Sequence, residues 1–350
     1  MSEVGISLGS ITRLTSPLVD QGLLVSHVQQ VAATGRPQSP LEVRADAESL
    51  VGVNLTTHSL TAVLTDLRLR VRSSVRLPVR EHSPEHVTSL VAQAIDELVA
   101  HRGELPEPSC LGLSLGGASH DGRVVAEAGY LGWHQVPLAR MLEKRTGLPA
   151  TIGNDLMAQT LREAWFGVGK DVSRFIVVTV GVGVGFGLGI DGKPVSTHDS
   201  ELGLVGMVPV PDGARPARAV PAMDALTDSA LTRAWQARYD ETLTAPQVVD
   251  LASQGDARAV GVCASFARRL GRLVGTAAAF TLPEAIVVAG ERAGVAALFE
   301  DQVMVGVAAV RRASAHGLEL VVREHDRRDW ACGAATLALR TRLLGGAQGV

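Results

Sequence analysis

Two stretches of this 350-residue chain run through the same order of elements, and that order restricts the fold more than any single motif does. From Ser49 onward, "LVGVNL", "LTAVLT" and "RVRSSVRLPV" read as a meander of three strands. "PEHVTSLVAQAIDELVAHR" then reads as an amphipathic helix and "CLGLSLGG" as a buried strand ending in glycines. From Arg174, "RFIVVTVGVGVGFGLGIDGKPV" reads as paired strands around a glycine-rich turn. "AVGVCASFARRLGRLVGTAAAF" follows as a long apolar-striped helix and "EAIVVAG" as a buried strand closing on Gly290. "LARMLEKRTG", "PATIGND" and "LMAQTLREAWFGVG" place a helix, a strand and a second helix between the two sets, and "WACGAATLALRTRLL" is a terminal helix. A strand meander followed by helix and strand, occurring twice, predicts two α/β lobes with a cleft between them. The repeat is one of pattern and not of letters.

Residues 1–48 differ. Ser7 is a candidate N-cap, Ile11, Leu14 and Leu18 follow at helical spacing, and Gly22 is a stop. Pro17 inside this short amphipathic helix is expected to remove one hydrogen bond and kink it, at about 3 kcal/mol if unrelieved. "LLVSHVQQV" and "LEVRA" are strand-like, and "AATGRPQSP" between them is a turn that exposes Arg36. Helix, strand, basic turn and strand suggest the second half of a winged helix.

A hydrophobic content of 46% over this length is ample for a buried core. The net charge of -3 gives no bulk attraction to nucleic acid or anionic membrane, so a DNA contact must come from a local patch. Cys110, Cys263 and Cys332 are scattered and odd in number, which argues against a disulfide framework and a thiolate metal site and fits a reducing cytoplasm. The N-terminus lacks a basic region followed by a long apolar run, so no signal peptide is expected. The most apolar stretch, Phe175 to Ile190, is short for a membrane span and punctuated by glycines.

The order "LGLSLGG", "LGWHQVPLARMLEKRTGLPATIGNDLMA", "VGVGVGFGLGIDGKPV", "EAIVVAG" and "CGAATLALR" resembles that of the ROK family of bacterial repressors and sugar kinases. Leu148-Pro149 followed by Asn154-Asp155 entering a helix is similar to the family's sugar-binding segment. The resemblance implies a two-lobed, actin-like (ribonuclease H-like) sugar-kinase fold preceded by a winged helix. The expected divisions are a winged-helix module at 1–48, a first lobe at 49–158 completed by a terminal helix at 331–346, and a second lobe at 159–330. Gly35, Arg36 and Pro37 resemble the family's wing. A helix-turn-helix needs an earlier helix to hold the recognition helix in the groove, and Met1 lies only a few residues upstream of Ser7, so either the true start is further upstream or the module is partial.

The site residues follow from the same resemblance. In the family's kinases the first strand turn carries an acid, glycines and a threonine, which let backbone amides approach ATP phosphates and the acid organise the metal. The aligned positions here are Asn54, Thr56, Thr57 and His58, so this loop reads as degenerate, a turn kept for folding or a weakened nucleotide site. Gly181, Gly183 and Gly185 match the other phosphate-facing loop, with Val182 in place of a threonine; glycine after a strand also fits plain strand–turn packing. Gly290 closes the set. Asn154 and Asp155 are the remaining chemistry. Asp155 is either a sugar-hydroxyl acceptor, vestigial base included, or a helix cap. The family's Gly-Glu-x-Gly-His segment, whose acid binds sugar and whose histidine binds sugar and zinc, reads here as Gly203 to Met207 with apolar replacements. The cysteine loop that completes the zinc site is missing, so no metal is expected. Ser10, Thr12 and Arg13 are expected to face a major groove and Arg36 the minor groove or phosphates.

The implied function is a transcriptional regulator, a homodimer or homotetramer on an operator. It would carry a sugar or sugar-like effector in a cleft lined by Gly116, Gly117, Asn154, Asp155 and Met207, with no cofactor and no membrane association. Two alternatives stay open. One is an active sugar kinase using ATP and magnesium with Asp155 as base; the other is a sensing or scaffold protein without DNA binding.

Overall fold

The computed structural model describes residues 8–27, 40–119, 121–212 and 215–345. Helix α1 (Leu8–Asp20) contains Pro17 and ends where expected. Gly22 takes φ +71°, which favours glycine, and the N–H groups of Gly22 and Leu23 donate back to the Val19 and Leu18 carbonyls at 2.9 Å. Strands β1 (Leu24–Ser26) and β2 (Leu41–Val43) pair antiparallel. Arg36 and its neighbours Gly35 and Pro37 lie outside the described residues. The pair is fastened to the body through Glu42, which accepts from His27 (2.9 Å) and Arg68, and through the Leu67 N–H, which donates to the Ala45 carbonyl at 2.9 Å.

The first lobe is built on β3 (Ser49–Leu55), β4 (Ser59–Asp66), β5 (Val71–Pro78), α2 (Pro84–Ala100), β6 (Pro108–Leu115), the hairpin of β7 (Val125–Ala128) and β8 (Trp133–Val136), α3 (Leu138–Thr146) and β9 (Ala150–Asn154). Its sheet order is β5-β4-β3-β6-β9, antiparallel in the meander and parallel from β3 to β9. Every residue of β3 and β4 is buried, which is why they read as continuous apolar runs, whereas the edge strand β5 is open to solvent along most of its length.

Helix α4 (Asp155–Phe166) leads to the second lobe: β10 (Arg174–Val180), β11 (Val184–Ile190), β12 (Lys193–Pro194), the hairpin β13 (Pro209–Asp212) and β14 (Arg215–Pro221), the short α5 (Ala222–Ala225), α6 (Asp228–Tyr239), α7 (Ala245–Ser253), α8 (Ala257–Thr281), β15 (Ala285–Ala289), α9 (Ala293–Leu298), α10 (Glu300–Ala308) and β16 (Glu319–Val322). The sheet order β12-β11-β10-β15-β16 repeats that of the first lobe, with the same parallel and antiparallel pairings. The chain closes with α11 (Arg327–Leu344), which returns to pack on β3, β4, β6 and β9.

Glycines set the closest helix–sheet approaches. A Cβ at Gly52 of β3 would lie 2.0 Å from the Ala331 carbonyl oxygen, and one at Gly112 of β6 would lie 1.8 Å from that of Ala334. In the second lobe, Gly185 and Gly187 share one face of β11 and make room for Leu156 and Thr160 of α4. The glycine run of this strand therefore serves packing beyond its turn. Helices α4 and α11 meet where Gly333 touches Ala158, within 3.0 Å of where a Cβ would stand. Glu163 of α4, buried, takes a two-pronged pairing from Arg323 beyond β16, both contacts at 3.0 Å. Among the described residues, no helix is long and apolar enough to cross a membrane.

Candidate functional site

The ends of five strands converge on one edge of the two sheets: Asn54 near the end of β3, Gly116 after β6, Asn154 at the end of β9, Gly181 after β10 and Gly290 after β15. The carboxyl ends of neighbouring parallel strands are where α/β sheets take ligands. These five sequence-predicted residues thus fall along one edge, and they differ in what they are free to do.

On the first-lobe side, Asn54 is buried and its amide donates to the hydroxyl of Ser114 on β6 at 3.2 Å. Thr56 folds its hydroxyl back over the turn, donating to the Ser59 carbonyl at 2.9 Å and accepting the Ser59 N–H at 3.1 Å. The Thr57 carbonyl holds His82 Nε2 at 2.8 Å. These contacts tie the turn to its own hairpin and to the lobe below it.

On the second-lobe side, Gly181 has its carbonyl bonded by the Asp228 N–H at 2.8 Å, Gly183 has open space around it, and Val182 is 70% exposed. Gly290 adopts φ +95° and presses on Val180, where a Cβ would stand 2.5 Å from the Val180 carbonyl oxygen, so only glycine fits. The next residue, Glu291, lays its carboxylate against Gly181: a Cβ there would lie 2.0 Å from Oε2. Arg292 turns away to Asp228, with Nε to Oδ1 at 2.6 Å. A carboxylate thus stands against the Gly181 backbone, and the Asn54 amide is already bonded to Ser114.

Between the two sides sits the start of α4. Asn154, not Asp155, is the N-cap: its Oδ1 accepts the Met157 N–H at 3.1 Å while its Nδ2 donates to the Gly117 carbonyl at 2.8 Å. Asp155 accepts its neighbour's N–H, from Leu156, at 2.8 Å. Its other oxygen lies beside Gly116, whose missing side chain leaves the approach open; Gly117 is a packing glycine under Glu127 and Ala128. Burial pushes the Asp155 carboxyl up to about 6, against the pull of the Leu156 N–H and aided by the charge of Glu291.

Two residues that contribute to this edge were not singled out from the sequence. Glu201 spans the lobes, its carboxylate accepting the Ser119 N–H from the loop after β6 at 2.7 Å. Ser200-Glu201-Leu202-Gly203-Leu204 keeps the acid and the second glycine of Gly-Glu-x-Gly-His, three residues upstream of the Gly203–Met207 frame. In this frame the acid is present and Leu204 stands for the histidine. Met207 ends the single turn Leu204–Met207, packed on β11 and α5, and is 68% exposed. Glu291 is the other, and nothing in its local sequence marks its approach to Gly181.

Among the described residues, no cluster of three or more His, Cys, Asp or Glu is placed to hold a metal ion. The three cysteines are buried, which raises each thiol to about 11. In the N-terminal module, Thr12 and Arg13 are exposed on α1 and Ser10 is half-buried.

Comparison with known proteins agrees with this architecture. The DNA-binding transcriptional dual regulator NagC of Escherichia coli K12 is 25% identical over 303 residues, covering 81% of this chain and 73% of that protein. A putative xylose repressor of a Caldicellulosiruptor species is 28% identical over 183 residues, 51% of this chain and 45% of the relative. Among solved structures, a ROK family transcriptional regulator described as a homologue of the E. coli MLC protein superposes with a TM-score of 0.79 at 21% identity, over 96% of this chain and 89% of that one. A ROK family glucokinase from Streptomyces griseus, solved with glucose and AMPPNP, gives 0.68 at 22% identity, over 83% of this chain and 99% of its own. Residues 50–341 match the ROK family, so the duplicated sheet order, the Asn154-Asp155 helix start and the cleft edge they form are those of a chain that belongs to it.

Proposed function

We propose that this protein is a ROK-type transcriptional regulator whose interlobe cleft senses a sugar-like ligand and does not phosphorylate it. The observation that carries the reading is the contrast between the two halves of the cleft edge. The hydroxyl-accepting half keeps Asp155 beside the open Gly116, with Asn154 capping α4 and Glu201 bridging the lobes. The phosphate half holds Glu291 against Gly181 and has Asn54 and Thr56 bonded into the sheet and turn. A ligand contacted from both lobes shifts their relative position by its differential affinity for the two arrangements. Helix α1 and the paired strands β1 and β2 support the DNA side of the reading. The regulator's fold covers 96% of this chain, that of the glucokinase 83%.

In this reading α1 presents Thr12 and Arg13 to an operator, two or four copies assemble to place paired DNA heads, and the protein works in the cytoplasm. The lobes divide at 49–158, with the terminal helix, and 159–330; the first bound falls inside α4. Selection of binding sites from random DNA by the purified chain, repeated with a panel of sugars, tests the proposal. An enriched motif whose affinity changes with one sugar is expected; no enriched motif overturns the regulator reading.

The raised Asp155 carboxyl favours a second reading, a sugar kinase with that group as base, because a base near neutral pH is what proton abstraction needs. A coupled assay with ATP, magnesium and a hexose panel decides it: turnover lost in Asp155→Ala establishes the kinase, and no turnover removes it.

A further inference from the structure

The second lobe carries a groove of about 640 Å³ among α5, α6, α8 and α10, sharing no residue with the cleft edge. Its floor is apolar, with Leu231, Val262 and Phe266, and its walls hold Arg238 of α6 with Arg268, Arg269 and Arg272 of α8. No Asp or Glu lines it. Arg268 and Arg272 sit four residues apart on one helix face, where like charges oppose each other. Among the described residues, no carboxylate pairs with Arg238, Arg268 or Arg272. Arg268 bonds the neutral Gln302 amide oxygen at 2.5 Å, and the buried Nε of Arg272 has no hydrogen-bond partner. Three other arginines of this lobe are matched: Arg258 by Glu241 and Asp256, Arg292 by Asp228, and Arg323 by Glu163.

We propose that this groove binds an organic phosphate, its phosphoryl group held by Arg238, Arg268 and Arg272 and its carbon skeleton lying over Phe266 and Leu231. Guanidinium forks match the paired oxygens of a tetrahedral oxyanion, and several converging on one point match a charge near −2 better than a carboxylate's −1. The apolar floor gives a carbon skeleton a surface to lie on, and the volume lies in the range of small-ligand pockets. The site stands apart from Asp155 and the cleft, so it does not depend on what the cleft binds.

Calorimetric titration of the full chain with glucose 6-phosphate, ribose 5-phosphate and a nucleoside monophosphate, against glucose and inorganic phosphate, tests this. At least one ester is expected to bind more tightly than inorganic phosphate, with affinity falling as salt is added. Arg238→Gln and Arg272→Gln should each weaken it by about tenfold or more. Val305→Glu, which adds an acid at an exposed rim position without removing an arginine, should abolish it, and Asp155→Asn should leave it unchanged. The proposal is overturned if no ester binds, if inorganic phosphate binds as tightly as the best ester, if the groove variants bind like the parent, or if Asp155→Asn removes the binding.

Discussion

Replacing Asp155 by asparagine tests the electrostatics of the cleft through stability alone. The carboxyl rises from 3.8 to about 6 on folding, chiefly because burial penalises its charged form. At about 1.4 kcal/mol per unit, that rise corresponds to about 3 kcal/mol. The sign follows from proton counts. Below pH 3.8 the group is protonated in both states and contributes nothing. Between 3.8 and 6 the unfolded chain has released its proton while the folded one still holds it, so stability falls as pH rises; above 6 the penalty is constant. Asparagine has nearly the same shape and still accepts the Leu156 N–H that Asp155 bonds at 2.8 Å, so the variant removes the charge and little else. Urea denaturation of parent and Asp155→Asn should show the variant more stable by about 3 kcal/mol at pH 7.5, with the gap closing toward pH 4. A parent as stable as the variant at pH 7.5, or a gap that widens in acid, would refute the assignment of a desolvated carboxyl here.

Other substitutions probe neighbouring parts of the argument. Glu291→Gln removes a like charge from beside Asp155, so the pH window in which the Asp155 penalty develops should move down, read from the same pH series of denaturation curves. Glu163→Ala strands Arg323 against a buried helix and should cost about 3–5 kcal/mol in urea unfolding; an unchanged midpoint would show that the pairing carries no stability. Gly112→Ala forces a Cβ toward the Ala334 carbonyl and should lower stability by about 1–3 kcal/mol or more, read as a lower melting temperature and soluble yield. Thr56→Val keeps the shape of the turn but loses its hydroxyl bonds to Ser59, which should cost about 1 kcal/mol in the same unfolding assay.

Much of the fold was legible because buried strands leave largely apolar runs: β3, β4, β6, β10 and β15 all lie in segments read as strands. Others were not. The hairpin β13–β14 runs through a stretch rich in proline with no alternation to mark it, and its pairing is a tertiary outcome. Helix α7 did carry a readable start, the reciprocal cap of Thr244 and Gln247. At the cleft edge, adjacency hid one assignment, since Asn154 and Asp155 are both good caps and only the structure separates cap from open carboxylate. Glu201 was obscured because two frames of one short motif match equally well. Glu291 was beyond reach of local reading: it matters through Gly181, 110 residues earlier in the chain, and contact at that separation leaves no local pattern.

The interlocking of α4 and α11 joins the two lobes. Leu156 and Thr160 of α4 are seated in the glycine gaps of β11, and α11 is seated on Gly52 and Gly112. The two helices cross where Gly333 meets Ala158, with no side chain between the backbones. Asp155 lies three residues from that crossing, roughly 4.5 Å along the helix. The attachment of the N-terminal helix and hairpin lies at the far end of the strands, about 20 Å from the cleft edge.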